Sequence, residues 1–190
     1  MRVGATFLLP RPGEGWRSEA ESGWGRQGDR APELRGRPHP TPAASALPGT
    51  GRENGGAILV SGYASLWGQA DLNGDVVSPG AFRASLQRTG PEGVRMLHGH
   101  EARVVVGVWQ TLAEDERGLF VRGRIEDWSA EAGYAQSLAR AGALDGLSIG
   151  FRTAKARRDG RLRVLSAVEL WEVSLVTFPM LPAARFRVGP

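Results

Sequence analysis

Ser148 stands in Gly146-Leu147-Ser148-Ile149-Gly150, a G-x-S-x-G pattern in which small residues flank a hydroxyl. Such flanks let the backbone turn sharply and leave the oxygen open to substrate, the setting of a nucleophile in acyl transfer. A serine hydroxyl is weak by itself. It needs a neighbouring base to take its proton and a third group to orient that base. Histidine suits the base because its pKa lies near neutrality. The chain has three histidines, His39, His98 and His100, all upstream of Ser148. In α/β-hydrolases the order is serine, acid, histidine. The order here is His100, Ser148 and then a late carboxylate, which argues for a different serine-hydrolase fold.

The third group should be a carboxylate that the fold cannot leave in water. If the last strand is regular, Val168, Leu170, Glu172, Ser174, Val176 and Phe178 share one face. Glu172 then sits among apolar neighbours, where an ionised carboxylate is costly unless paired. A histidine partner would relieve that cost and orient the imidazole at once. Glu169, on the opposite face with Trp171 and Val173, is the competing acid. Each residue also has an ordinary reading. The motif can arise by chance in a chain with 27 glycines, His100 can be a surface histidine, and Glu172 can pair with an arginine.

Two metal readings are weaker. In extended geometry His98 and His100 point to one side and could share a zinc with a carboxylate. Asp71-Leu72-Asn73-Gly74-Asp75 resembles a calcium loop, but its glycine falls fourth rather than sixth and position twelve is Phe82. A structural turn is the expectation there.

The elements that must position these residues are mostly strands. Residues 57–66 read as a strand interrupted by Gly62. Ser78 and Pro79 supply an N-cap and a first helical position for a helix running to about Thr89, before Gly90-Pro91. Residues 94–97 and 104–112 read as strands on either side of the two histidines. In 118–125, Leu119, Val121 and Ile125 share one face and Arg122 and Arg124 the other. Ser129 caps a second helix over 130–141, with Tyr134, Leu138 and Ala141 at helical spacing. Ser148 follows that helix and leads into a strand over 149–154, the reverse of a nucleophile elbow's strand-to-helix context. Arg158-Asp159-Gly160 turns the chain into a final strand region, 162–178. Many short strands, two helices and no βαβ rhythm predict a mainly β, α+β fold: an antiparallel sheet or barrel with accessory helices.

The 190 residues suggest one domain with a tail. Residues 1–56 hold 11 glycines and 7 prolines, about a third of that stretch, which is the composition of disorder. His39 falls in it and is expected to be silent, so the folded domain is expected over 57–190. The absence of cysteine excludes a disulfide scaffold, thiol catalysis and cysteine-ligated zinc. Net charge is only +4 despite a pI near 10.5, and Lys155 is the sole lysine. No basic stripe interleaved with aromatics points to specific nucleic-acid binding. No apolar run approaches the ~20 residues of a membrane span, and Val3–Leu9 is too short for a secretory core.

Several segments together resemble the prohead (capsid maturation) proteases of tailed bacteriophages, also found in prophages and gene transfer agents. They are Gly62-Tyr63-Ala64-Ser65, Asn73-Gly74-Asp75, Gly80-Ala81-Phe82, the His100-Glu101 step, residues 142–151 and residues 170–182. The most specific are Asp145-Gly146-Leu147-Ser148-Ile149-Gly150-Phe151 and Trp171-Glu172-Val173-Ser174-Leu175-Val176-Thr177-Phe178-Pro179. The resemblance covers about residues 57–186. It implies a serine endopeptidase with a herpesvirus-assemblin-like fold, an antiparallel β-barrel ringed by helices. It places the base at His100, the nucleophile at Ser148 and the acid at Glu172, with no cofactor. Gly99 replaces the family's usual glutamine, Glu101 its aspartate and Leu181 a common asparagine. The implied substrates are the major capsid protein with its scaffold segment and the protease itself, met inside the assembling prohead in the bacterial cytoplasm. A homo-oligomer is left open. Oxyanion donors are expected among backbone N–H groups near Ser148, with Arg157 or Arg158 as further candidates. The alternative is a catalytically decayed assembly or scaffolding protein.

Overall fold

The computed structural model of the protein describes residues 56–189. The expected tail, apart from Gly56, lies outside the described residues, and so does His39. The alternation of apolar and polar residues becomes strands β1 (Ile58–Leu66), β2 (Asp75–Val77), β3 (Arg95–His98), β4 (Val105–Glu114) and β5 (Gly118–Ile125). The two longest follow as a hairpin, β6 (Gly146–Asp159) and β7 (Leu162–Val176), and β8 (Phe186–Val188) closes the chain. Two helices, α1 (Arg83–Thr89) and α2 (Ala130–Arg140), accompany them. The fold is α+β and mostly strand, with the sheet curled into a half-barrel.

The hydrogen-bonded order is β2-β7-β3-β4-β5-β1-β8, with β6 paired to β7. One edge of β7 is taken along its length by β6, antiparallel. The other edge is shared by β2 against Arg163–Leu165 and β3 against Glu172–Leu175, both parallel. The expected antiparallel sheet is therefore mixed at this point. α1 stands between β2 and β3, so the chain returns to the same edge of β7 in the same direction.

The core is one cluster, and its largest fully buried side chains include Phe82, Met96, Leu119, Ile125, Leu144, Leu147, Leu165, Leu170 and Leu175. In β5 the alternation is as its sequence demands: Leu119, Val121 and Ile125 are buried, while Arg122 and Arg124 face out.

Both helices depart from expectation. α1 begins at Arg83, not at Ser78-Pro79. Gly80 has φ +87° and Ala81 N–H donates to the Ser78 carbonyl at 3.1 Å, a type II turn with proline and glycine at its two centres. That turn delays the helix, and the Phe82 N–H is met by Glu114 Oε1 at 2.8 Å from β4. α2 starts as expected, with Ser129 Oγ accepting from Ala132 N–H at 3.1 Å. Its buried face, however, is Ala132, Ala135, Gln136 and Ala139, while Tyr134 is exposed. Small residues let the helix lie close to the sheet, and Gln136 Nε2 donates to the Ile125 carbonyl at 3.0 Å.

Candidate active site

β3 delivers His98 and then stops. Gly99 and His100 both adopt left-handed backbone, φ 64° and 62°, and Glu101 N–H donates back to the His98 carbonyl at 3.2 Å. This is a type I′ turn. For any residue but glycine that conformation costs roughly 1–2 kcal/mol, and His100 is the one non-glycine with positive φ among the described residues. Two contacts hold it there. The His100 backbone N–H donates to Ser174 Oγ at 3.2 Å, and the ring Nδ1 lies 2.6 Å from Glu172 Oε1.

The turn also overturns the expectation that His98 and His100 point the same way. The His98 ring lies 6.3 Å from the Tyr134 ring of α2, whereas His100 turns to Glu172. The shared-zinc geometry rested on continuous extended backbone, which ends at Gly99.

Glu172 reaches His100 because β7 is bulged. Gly150 pairs with Glu172 and Phe151 with Leu170, so Trp171 is skipped. Before the bulge Val168 and Leu170 belong to the hydrophobic core; after it Val173 and Leu175 do, while Ser174 and Val176 are buried outside that cluster. Glu172 therefore does not share a face with Leu170, as a regular strand would require. It shares one with Ser174, and with Ser148 and Gly150 across the hairpin, since Ser148 pairs with Ser174. Side chains directly opposite in an antiparallel pair have Cβ atoms roughly 4.5–5.5 Å apart. One face thus gathers Ser148, Ser174, Glu172 and the imidazole of His100. The competing acid is engaged elsewhere: Glu169 Oε2 accepts from Arg152 at 2.9 and 2.7 Å, and its Oε1 lies 3.7 Å from Arg88.

The motif around Ser148 works differently from an elbow. Ser148 lies within β6, and its two glycines serve close approach rather than a sharp turn. A Cβ on Gly150 would stand 2.1 Å from Glu172 Oε1, and one on Gly146 would stand 2.5 Å from the Val176 carbonyl. The second glycine of G-x-S-x-G is the space the carboxylate occupies.

Ser148 is buried, and its hydroxyl has no hydrogen-bond partner among the described residues. It lines a cleft of about 220 Å³ together with Ala64 and Ser65 of β1, the Asp71–Asp75 turn, Arg163 and Leu181. His100 and Glu172 are not in the cleft wall; Ser148 is in it, with Leu147, Ile149, Phe151 and Thr153 of the same strand, and by its pairing with Ser174 belongs to the hairpin face that carries Glu172. Asp71 Oδ1 accepts the N–H groups of Asn73 and Asp75 at 2.8 and 2.9 Å, the expected turn. Burial pushes the Asp71 carboxyl above its ordinary range. Arg163 Nε donates to Asp75 Oδ1 at 2.6 Å, a pairing that raises the guanidinium further and ties β2 to β7.

The expected arginine donors are misplaced. Arg157 pairs with Asp159 at 3.0 Å near the hairpin tip, nine residues beyond Ser148. At ~3.3 Å per residue that is about 25–30 Å away. The residue without an assigned role in the sequence is Ser174. Its signal was its position two residues after Glu172, on the same face.

Comparison with known proteins identifies the fold and the family. The fold is that of the KSHV protease, solved in complex with a hexapeptide phosphonate inhibitor: TM-score 0.51 at 16% identity over 70% of this chain and 65% of that one. It is also that of the bacteriophage T4 capsid assembly protease, with TM-score 0.52 at 11% identity over 63% of this chain and 82% of that one. A fold shared with viral proteases is thus one finding. The sequence narrows it: the chain belongs to the caudovirus prohead serine protease family, whose profile matches residues 47–189. It is 35% identical over 127 residues to the prohead protease of Enterobacteria phage HK97, covering 64% of this chain and 55% of that one. The chain therefore spans just over half the length of that curated relative. No helix among the described residues is long and apolar enough to cross a membrane.

Proposed function

We propose that the protein is a serine endopeptidase of capsid maturation, cutting capsid and scaffold protein inside the assembling prohead with Ser148, His100 and Glu172. The observation that carries this reading is the 2.6 Å contact of His100 Nδ1 with Glu172 on the face to which Ser148 belongs. A carboxylate can only accept, so Nδ1 carries the proton and Nε2 is left as the base. Nε2 takes the proton of Ser148 as Oγ attacks a peptide carbonyl carbon, and then returns it to the leaving amine. Glu172 stays ionised and stabilises the imidazolium that forms between those steps. Backbone N–H groups near Ser148 receive the charge that develops on the carbonyl oxygen. The 220 Å³ cleft beside Ser148 is where the peptide enters.

Family membership supports the substrate class, since the HK97 relative is itself a prohead protease. Confinement in a shell raises effective concentration, so slow chemistry would suffice. The test is co-expression with a candidate capsid protein substrate. Ser148→Ala abolishes cleavage while the purified variant keeps wild-type thermal unfolding. Full processing by that variant would end the peptidase reading, and equal shell assembly with no cutting by either form would favour the scaffolding alternative.

A further inference from the structure

Two serines face each other across the β6–β7 hairpin, and only one of them is free to react. Ser148 Oγ has no hydrogen-bond partner among the described residues and borders the cleft. Ser174 is fully buried, and its hydroxyl is committed twice. A hydroxyl carries one proton and accepts through its lone pairs. The proton goes to Glu172 Oε2 at 2.5 Å, because a carboxylate cannot donate. The His100 backbone N–H donates into the same oxygen at 3.2 Å.

We propose that Ser174 is a positioning residue of the active site, acting on the base and the acid together. The inference rests on the reading of His100, Ser148 and Glu172 given above. Glu172 uses Oε1 for the imidazole and Oε2 for Ser174, so its carboxylate plane is pinned and Oε1 is aimed at Nδ1. The same hydroxyl tethers the left-handed backbone of His100, the residue most prone to relax out of its turn. One oxygen thus fixes where the imidazole starts and where its partner ends. The parallel pairing of β3 with β7 makes this possible by placing Leu97 against Ser174 and His98 against Leu175, so the chain leaving β3 turns directly over Ser174.

The experiment reads nucleophile activation without needing the natural substrate. Purified full-length protein is labelled with a fluorophosphonate, and the second-order rate constant of modification at Ser148 is measured by mass spectrometry. Ser148→Ala must abolish labelling at that site; labelling that persists unchanged elsewhere overturns the catalytic reading itself, whatever Ser174 does. With that control in place, Ser174→Ala is expected to slow labelling 10- to 100-fold while thermal unfolding stays near wild type. In a Glu172→Gln background the same change should cost clearly less than in wild type, because the carboxylate route is already broken and only the tether on the His100 backbone is left to lose. A Ser174→Ala rate within twofold of wild type, or an equal loss in both backgrounds, overturns the positioning role. Ser174→Cys preserves the volume but donates poorly, so it keeps the test decisive where alanine unfolds the protein. It too should label at least tenfold more slowly, and a wild-type rate would sink the proposal.

Discussion

Glu172 meets His100 at 2.6 Å because Trp171 is left out of the β6–β7 ladder. A strand without that extra residue would send the carboxylate to the side of Val173, whose side chain is fully buried in the core. The bulge re-aims one side chain across the sheet, a recurrent use of bulges near functional sites.

The two glutamates of β7 should separate cleanly. Glu172→Gln keeps the shape but cannot hold an imidazolium, and loss of the analogous charge in serine proteases costs about 10⁴-fold in kcat. Glu169→Gln breaks only a half-exposed contact with Arg152 and Arg88, and exposed pairs contribute about 0–1 kcal/mol. Cleavage rates of the two variants on one substrate decide it. A larger loss for Glu169→Gln would remove Glu172 from the site.

Gly150→Ala should damage activity more than stability. The new methyl must displace the Glu172 carboxylate that lies 2.1 Å from its position, whereas overpacking of this kind costs about 1–3 kcal/mol. Cleavage is expected to fall at least tenfold in protein that still unfolds cooperatively. Wild-type turnover would mean that Glu172 can move without consequence.

Asp71 carries a pH dependence of defined sign. Burial raises its folded pKa above the unfolded value, so its contribution to stability is fullest when it is protonated and declines as pH rises through the folded pKa. Asn can accept the same two N–H groups without the buried charge. Denaturant unfolding from pH 3 to 7 should show Asp71→Asn at least as stable as wild type at pH 7, with that decline absent. A variant clearly less stable at pH 7 would refute the assignment.

Ser129→Ala tests the scaffold apart from the site. Losing the cap on Ala132 N–H should cost about 1 kcal/mol. Labelling of Ser148 should not change, since α2 contributes no group to the His100–Glu172 contact.

Much of this was legible in residue types and spacing. β5 and the start of α2 follow from alternation and a serine cap, because those signals are local and nothing overrides them. Ser148, His100 and Glu172 could be singled out by chemistry, with family resemblance choosing His100 over His98. The late start of α1 was also written locally, in Pro79-Gly80, but a type II turn and a capped helix begin with the same residues.

What the chain could not state by itself is which side chains meet. Faces were assigned from a period of two, and a single skipped residue at Trp171 reverses every face beyond it. The turn at Gly99-His100 likewise separates two histidines that extended geometry would place together. Glu172, Ser174 and His100 are brought into contact by the parallel placement of β3 on β7, a pairing between residues more than seventy positions apart. Composition and periodicity are local properties, and they determined the inventory of strands and reactive groups. Register and bulges are settled by packing across the sheet, so only the tertiary structure decided which of those groups meet.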